Sequence, residues 1–115
     1  MTLQTGETDI AANDVLGAID FQAPDEGTGT DAILVAAGIS AVSEGDFSSS
    51  NNATKLSFKT AASEAAAEKM SLSSAGVLTT TSNIVSGGNV VIADAGNIGS
   101  ASDTDAIAIA SNGVV

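Results

Sequence analysis

The sequence predicts an all-β chain built as an elongated stack of small units, and three observations predict it. Apolar residues alternate with small or polar ones along several short runs, which puts them on one face of a strand. One pattern, Φ-x-Φ-x-x-x-Gly-x-Φ with Φ a large apolar residue, occurs three times in 70–115. Its copies are Met70-Ser-Leu72-Ser-Ser-Ala-Gly76-Val-Leu78, Val90-Val-Ile92-Ala-Asp-Ala-Gly96-Asn-Ile98 and Ile107-Ala-Ile109-Ala-Ser-Asn-Gly113-Val-Val115. Finally, the inventory for a core is thin: Phe21, Phe47 and Phe58 are the only aromatic rings, and 21 of the 115 residues are alanine.

Each copy of the pattern reads as strand, turn, strand, with Gly76, Gly96 and Gly113 placed where a tight turn needs φ > 0. The glycines are 20 and then 17 residues apart. Periods of that size suggest a quasi-one-dimensional stack in which each unit touches its neighbours. A single unit offers too few apolar side chains to fold alone, so it needs neighbours along the chain, other chains, or both. The side chains expected to be buried are Met70, Leu72, Leu78, Val90, Ile92, Ile98, Ile107, Ile109 and Val115, joined upstream by Leu56 and Phe58. Because aromatic residues normally dominate core energetics, part of this burial is expected to be intermolecular.

Composition narrows the function classes. Apolar residues make up 43 % and charged residues only 15 %, which separates the chain from disordered sequences. The net charge is −11, with no arginine and only Lys55, Lys59 and Lys69. No basic footprint for nucleic acid or for an anionic membrane exists, and no apolar run approaches the ~20 residues that span a bilayer. Without Cys and His, disulfides, thiolate catalysis, the commonest general base and the commonest transition-metal ligand are excluded. The N-terminus lacks the basic and apolar regions of a secretory signal.

Taken in order, residues 1–14 are polar and acidic, and read either as an attachment segment or as a loose end. A β module is expected over 15–69. Val15–Phe21 is a strand in which Gly17 marks a bulge or a close backbone approach. Pro24-Asp-Glu-Gly-Thr-Gly is turn chemistry. In Asp31–Ser43 helix and strand compete; Asp31 suits an N-cap, but the β-branched density and Gly38 favour a strand bulged at Gly38. Glu44–Asn52 is a loop. Thr54–Thr60 has the cleanest alternation, with Leu56 and Phe58 facing in and Lys55, Ser57 and Lys59 facing out as edge-protecting lysines. Ala61–Lys69 reads as a connector with one helical turn. The three glycine-turn units of 70–115 follow as a shaft, joined by the polar connectors Thr79–Asn89 and Ser100–Asp105. The last unit stops inside an apolar pair at Val115, as expected of a fragment with a further continuation.

Several of these runs, in this order, resemble a module of tailed-phage fibres and related virion proteins, especially those of marine and cyanobacterial phages. They are Leu16-Gly-Ala-Ile-Asp-Phe, Gly27-Thr-Gly-Thr-Asp-Ala-Ile, Thr54-Lys-Leu-Ser-Phe-Lys-Thr and Glu68-Lys-Met-Ser-Leu-Ser-Ser-Ala-Gly-Val-Leu. The resemblance covers about Leu16–Leu78, and Lys69 stands where that family often has arginine. The later units look like fibre-shaft repeats of the triple β-spiral or β-helix kind, although such repeats are usually more regular. The resemblance implies a parallel homotrimer in a virion, made in a host cytoplasm. Its role would be structural: a tail-fibre segment that spaces or attaches a receptor-binding tip. Expected partners are copies of itself, other tail or capsid proteins and, through a missing tip, a host receptor.

Competing readings are a capsid-decorating or tail-adaptor protein, and a subunit of a non-viral surface filament or adhesin. Asp94, Asn97, Asp103 and Asp105 offer oxygen ligands suited to Ca²⁺, but lack EF-hand spacing and serve turns equally well. Asp25/Glu26 and Glu44/Asp46 are carboxylate pairs of the kind glycoside hydrolysis uses, without any aromatic platform for a sugar, and read as solvated turn residues. No phosphate-binding glycine motif is present. The expectation is a non-enzymatic chain without cofactor.

Overall fold

The computed structural model describes residues 1–24, 27 and 29–115. Among them seven strands form: β1 Val15–Gln22, β2 Val35–Ser43, β3 Thr54–Thr60, β4 Ala67–Leu72, β5 Leu78–Thr80, β6 Asn97–Ser100 and β7 Asp103–Ala108. Strands β1 to β5 make one antiparallel sheet in sequence order, and β6 and β7 make a separate hairpin. Among the described residues the chain is all-β apart from one 3-10 turn, Asp31–Ile33. It divides into two units, Met1–Asn83 and Ile84–Val115.

In the first unit β1 carries both features expected of Gly17. The register slips between Val15 and Gly17, a bulge, and the N-terminal segment approaches closely, so that a Cβ on Gly17 would lie 2.8 Å from the Leu3 Cβ. The segment before β1 is docked rather than loose at its inner end. Asn13 N–H donates to the Ser43 carbonyl at 3.0 Å, Ser43 N–H to the Asp14 carbonyl at 2.9 Å and Phe47 N–H to the Ile10 carbonyl at 2.9 Å. The Pro24–Gly29 turn falls partly outside the described residues.

The competition in Asp31–Ser43 resolves by position. Only Asp31–Ile33 winds, and the β-branched stretch from Val35 is extended between two strands that satisfy both of its edges. Gly38 is not bulged: Asp20↔Gly38↔Lys59 run straight across β1, β2 and β3. The expected edge lysines are also corrected, because β3 is the central strand of the sheet. Lys55 pairs with Glu68 at 2.9 Å and Lys59 with Asp20 at 3.0 Å.

The helical turn expected in Ala61–Lys69 does not form. Ala61 and Ala66 donate N–H groups to the carbonyls of Ala36 and Val35 at 2.9 and 2.8 Å, and β4 then begins at Ala67. A helix of this length gains little alone, whereas the open edge of β3 offers ladder hydrogen bonds. The boundary drawn at Met70 therefore lies inside β4. The first glycine-turn unit belongs to the sheet, as β4, turn and β5.

In the second unit Val90-Val-Ile92 forms no strand, and part of the stretch read as the Ser100–Asp105 connector is β7. The Ser100 hydroxyl accepts from Asp103 N–H at 3.2 Å within the β6–β7 turn, and Ile98 faces Ile107 across the pair.

The three glycine turns share one hydrogen bond but not one backbone. Gly76 N–H donates to the Ser73 carbonyl, Gly96 N–H to that of Ala93 and Gly113 N–H to that of Ala110, at 2.9, 2.8 and 2.8 Å. Gly76 and Gly113 have φ of 79° and 81°, as expected. Gly96 does not have positive φ; Ala95, one residue earlier, takes that role at φ 63°. In the first and third turns a second bond closes the loop, from Ser73 N–H to the Val77 carbonyl and from Ala110 N–H to the Val114 carbonyl. That is the three-residue hairpin loop with glycine in the left-handed position.

Burial runs opposite to the pattern read from β3. Among the described residues no large apolar side chain is buried, whereas Ser40, Ser43 and Ser57 are. Ser57, assigned to the outer face, is only 3 % exposed, while Leu56, assigned to the inner face, is 43 % exposed. The reason is side-chain length. Lysine and glutamate stems lie along the polar face and cover the short serines, whereas on the apolar face Leu56, Leu72 and Leu78 are 43 %, 39 % and 56 % exposed.

Candidate functional site

The strand registers assemble the apolar face row by row. Ile19, Ile39, Phe58 and Met70 are mutually opposite across β1 to β4, and the row ends at Thr80 of β5. The neighbouring row is Gly17, Ala41, Leu56, Leu72 and Leu78. Period two sends both rows to the same side. These rows hold no charged side chain, in a chain of net charge −11. Leu72 and Leu78 are 39 % and 56 % exposed, Ile19, Phe21 and Ile39 are similarly open, and Phe58 and Met70 are half-buried.

The face is not flat. Its second row is small on β1 and β2 and large on β3, β4 and β5. Gly17 and Ala41 therefore floor a depression of about 280 Å³, walled by Leu3, Leu16, Ile19, Ile39 and Leu56. Leu3 reaches it from the N-terminal segment and leaves it open.

The opposite face carries Lys55, Lys59 and Glu68, together with Asp20 of β1. Ala18, Ser40, Ser57, Ser71 and Thr79 form its middle row. Glu68 reaches over Ser57 to Lys55, so hydrogen bonds from Lys55 and then from Ser57 hold its carboxyl below the usual carboxylate range. Glu44 accepts from Ser74 N–H at 3.0 Å, and hydrogen bonding by Ser74 likewise lowers its carboxyl. At the end of the sheet Ser43 is 1 % exposed and fully used: its hydroxyl donates to the Ala11 carbonyl and accepts from Asp14 N–H. Among the described residues no buried polar side-chain atom lacks a partner, and no three acidic side chains gather within reach of one metal ion.

Of the side chains expected to be buried, Leu56, Phe58, Met70, Leu72 and Leu78 come together on the apolar face. Ile98 and Ile107 meet as one cross-strand pair in the second unit. Ile92 and Ile109 are half-buried near Gly96, the first by its methyl and the second through its N–H to the Gly96 carbonyl at 3.0 Å. Val90 and Val115 lie outside the strands and are exposed. No protein-family model, characterised protein or solved structure matches the chain.

Sequence reasoning missed Leu3, Ile19 and Ile39 as members of this face, and missed the ion pairs behind it. Ile19 and Ile39 were legible in principle, since each sits in period two with Phe21 and Ala41. Leu3 carried no local signal, because its partner Gly17 is recognisable only once the segment folds back.

Proposed function

We propose that this chain is a structural segment of a tailed-phage fibre, assembled as a parallel homotrimer that spaces or attaches a receptor-binding tip. The observation that carries the reading is the exposed apolar surface of the first unit: two neighbouring rows of its five-stranded sheet hold no charged side chain, and among the described residues no large apolar side chain is buried. Such a sheet needs a cover whenever it folds, and a copy of the same chain is always at hand in equal amount. The ordered motifs from Leu16 to Leu78 support a virion setting, with other tail or capsid proteins as neighbours. Of the three glycine-turn units, the second and third supply the shaft, since the first is already paired in the sheet. A two-stranded hairpin such as β6–β7 is marginal alone, and cross-chain strands of the triple β-spiral kind would complete it. The acidic exterior keeps such a fibre soluble.

The test is absolute mass by light scattering together with the hydrodynamic radius. The expected result is three times the 11.1 kDa of one chain with a radius above that of a compact particle of the same mass. A compact 11.1 kDa monomer overturns the reading.

A further inference from the structure

We propose that residues 84–91 are a proteolytic processing site, cut after one of their valines by a serine protease with a small aliphatic S1 pocket, and that the cut releases the β1–β5 sheet as a folded unit. The inference does not depend on the fibre reading.

The backbone is open there. An extended peptide binds a cleft by pairing its backbone groups with it, so a segment is cut where those groups are unpaired or easily freed. Thr81 N–H still bonds to the Lys69 carbonyl at 2.9 Å, and the next backbone bond along the chain runs from Gly96 N–H to the Ala93 carbonyl. Between them, residues 82–92 lie outside the strands and make no backbone–backbone hydrogen bond with any described residue. Their one local tie is the Ser86 hydroxyl, which donates to the Gly88 carbonyl at 2.7 Å and accepts from Gly88 N–H at 3.3 Å. A cleft can replace both bonds. The stretch starts where the chain divides into its two units, after β5 and before β6, so a cut in it breaks no strand pair.

The side chains select the protease. Ile84, Val85, Val90 and Val91 are 75 %, 91 %, 68 % and 89 % exposed. No Lys, Arg, Phe, Tyr or Trp follows Lys69. An S1 pocket built for a basic or an aromatic side chain therefore has nothing to hold in this stretch, whereas a small apolar one accepts valine. Lys55, Lys59 and Lys69 all lie within β3 and β4, where a cleft reaches the backbone only if the sheet opens. The other small-residue loop, 61–66, is held at both ends, since Ala61 and Ala66 donate N–H groups to the Ala36 and Val35 carbonyls. Freeing it means breaking ladder contacts, a rarer event than exposure of an unpaired segment.

The reaction is peptide hydrolysis. At the bond between Val85 and Ser86, the protease serine attacks the Val85 carbonyl carbon. Its proton passes through the protease histidine to the Ser86 nitrogen, which leaves as an amine; water then hydrolyses the acyl-enzyme ester and frees the Val85 carboxylate.

The test digests the native chain with neutrophil elastase, which cuts after valine, and separately with trypsin. Elastase is expected to give products whose new ends, read by mass spectrometry, follow Val85, Val90 or Val91. The larger product is expected to persist and to keep the slow amide exchange of β2 and β3. Trypsin is expected to leave the native chain whole over the same time. In Val85→Lys, a change at an exposed position outside the strands, trypsin is expected to cut after position 85 at least about 100-fold faster than it cuts the native chain. A first elastase cut outside 84–91, or a Val85→Lys chain that trypsin cuts no faster than the native one, overturns the site. Continued breakdown of the larger product, or loss of its slow exchange, overturns its release as a folded unit. Light scattering of the uncut chain decides the fibre reading separately, so failure of one is distinguished from failure of the other.

Discussion

Asp20 and Lys59 stand two strands apart, on β1 and β3, and form an ion pair of 3.0 Å directly over Gly38 of β2. The three residues share one row of the sheet. A Cβ on Gly38 would run into the Asp20 carboxylate oxygen and sit 3.0 Å from the Ile19 carbonyl and 3.1 Å from the Lys59 Cε. Glycine is required here by space and not by backbone angle, since its φ is not positive.

Gly38→Val is therefore expected to destabilise the sheet by about 1–3 kcal/mol, the range for overpacking a close contact. Asp20→Ala alone removes a partly exposed pair and is expected to cost under about 1 kcal/mol. In the double variant the two costs should fall short of their sum, because Asp20 is the first group the new side chain meets. Urea unfolding of the four proteins measures this, and strict additivity would refute the steric account.

The turn after Ile92 makes a prediction of opposite sign. Ala95 holds φ 63°, a conformation that costs an L-residue roughly 1–2 kcal/mol. Ala95→Gly is thus expected to stabilise the second unit by about 1 kcal/mol, less the added chain entropy. Gly76→Ala and Gly113→Ala, at φ 79° and 81°, are expected to destabilise by a similar amount. Gly96→Val is expected to be damaging for a different reason: its Cβ would meet the Ile92 methyl at 2.5 Å and the Ala93 carbonyl at 2.7 Å. Amide exchange at the β6–β7 hairpin reads the Ala95 effect, and faster exchange in Ala95→Gly would contradict it.

These positions show which parts of the structure the sequence announces. Strands with strict alternation announce themselves, and β3 has the bounds Thr54–Thr60 read from its pattern. Gly17 announces an irregularity because glycine weakens a strand without a reason to be there. What sits over a face is not announced. Leu56 and Ser57 exchange their expected exposures because burial depends on the reach of Lys55 along β3 and of Glu68 from the neighbouring strand β4, which the alternation of β3 alone does not show. The placement of φ > 0 also slips by one residue, from Gly96 to Ala95, since a four-residue turn can close on the same hydrogen bond with different central angles. Val90 and Ile92 have strand composition but pair with no strand among the described residues, and propensity alone does not make a strand.

Leu3 and Gly17 provide a test of how the N-terminal segment is held. The leucine sits over a glycine at a bulge, and residues 1–9 belong to no strand. Gly17→Val is expected to displace the leucine and to raise amide exchange in residues 2–6 several-fold while exchange within β2 and β3 stays as it was. Leu3→Ser should do the same and cost about 1 kcal/mol, half the value of a fully buried leucine. Unchanged exchange at residues 2–6 in both variants would mean that the segment is held by something other than this contact.

Acid should weaken the first unit through Glu68. Its carboxyl is lowered from the ordinary value of 4.5 by the hydrogen bond from Lys55, then by that from Ser57, with desolvation opposing. A carboxyl lowered in the folded state contributes stability that is present above its unfolded value and is lost as pH falls through the folded one. The loss therefore begins near pH 4.5 and continues below it. Glu68→Gln keeps the shape and a hydrogen-bonding group over Ser57 but removes the titrating charge. Between pH 5 and about pH 3 its urea midpoint should consequently fall less than that of the native chain. Glu44, lowered by Ser74 and fully exposed, adds a term of the same sign, so the native curve keeps some slope when Glu68 is removed. With no histidine in the chain, no imidazole step interrupts the curve near neutrality. Equal acid slopes for the native chain and Glu68→Gln would show that the Lys55–Glu68 pair, although 2.9 Å long, is too well solvated to couple folding to pH.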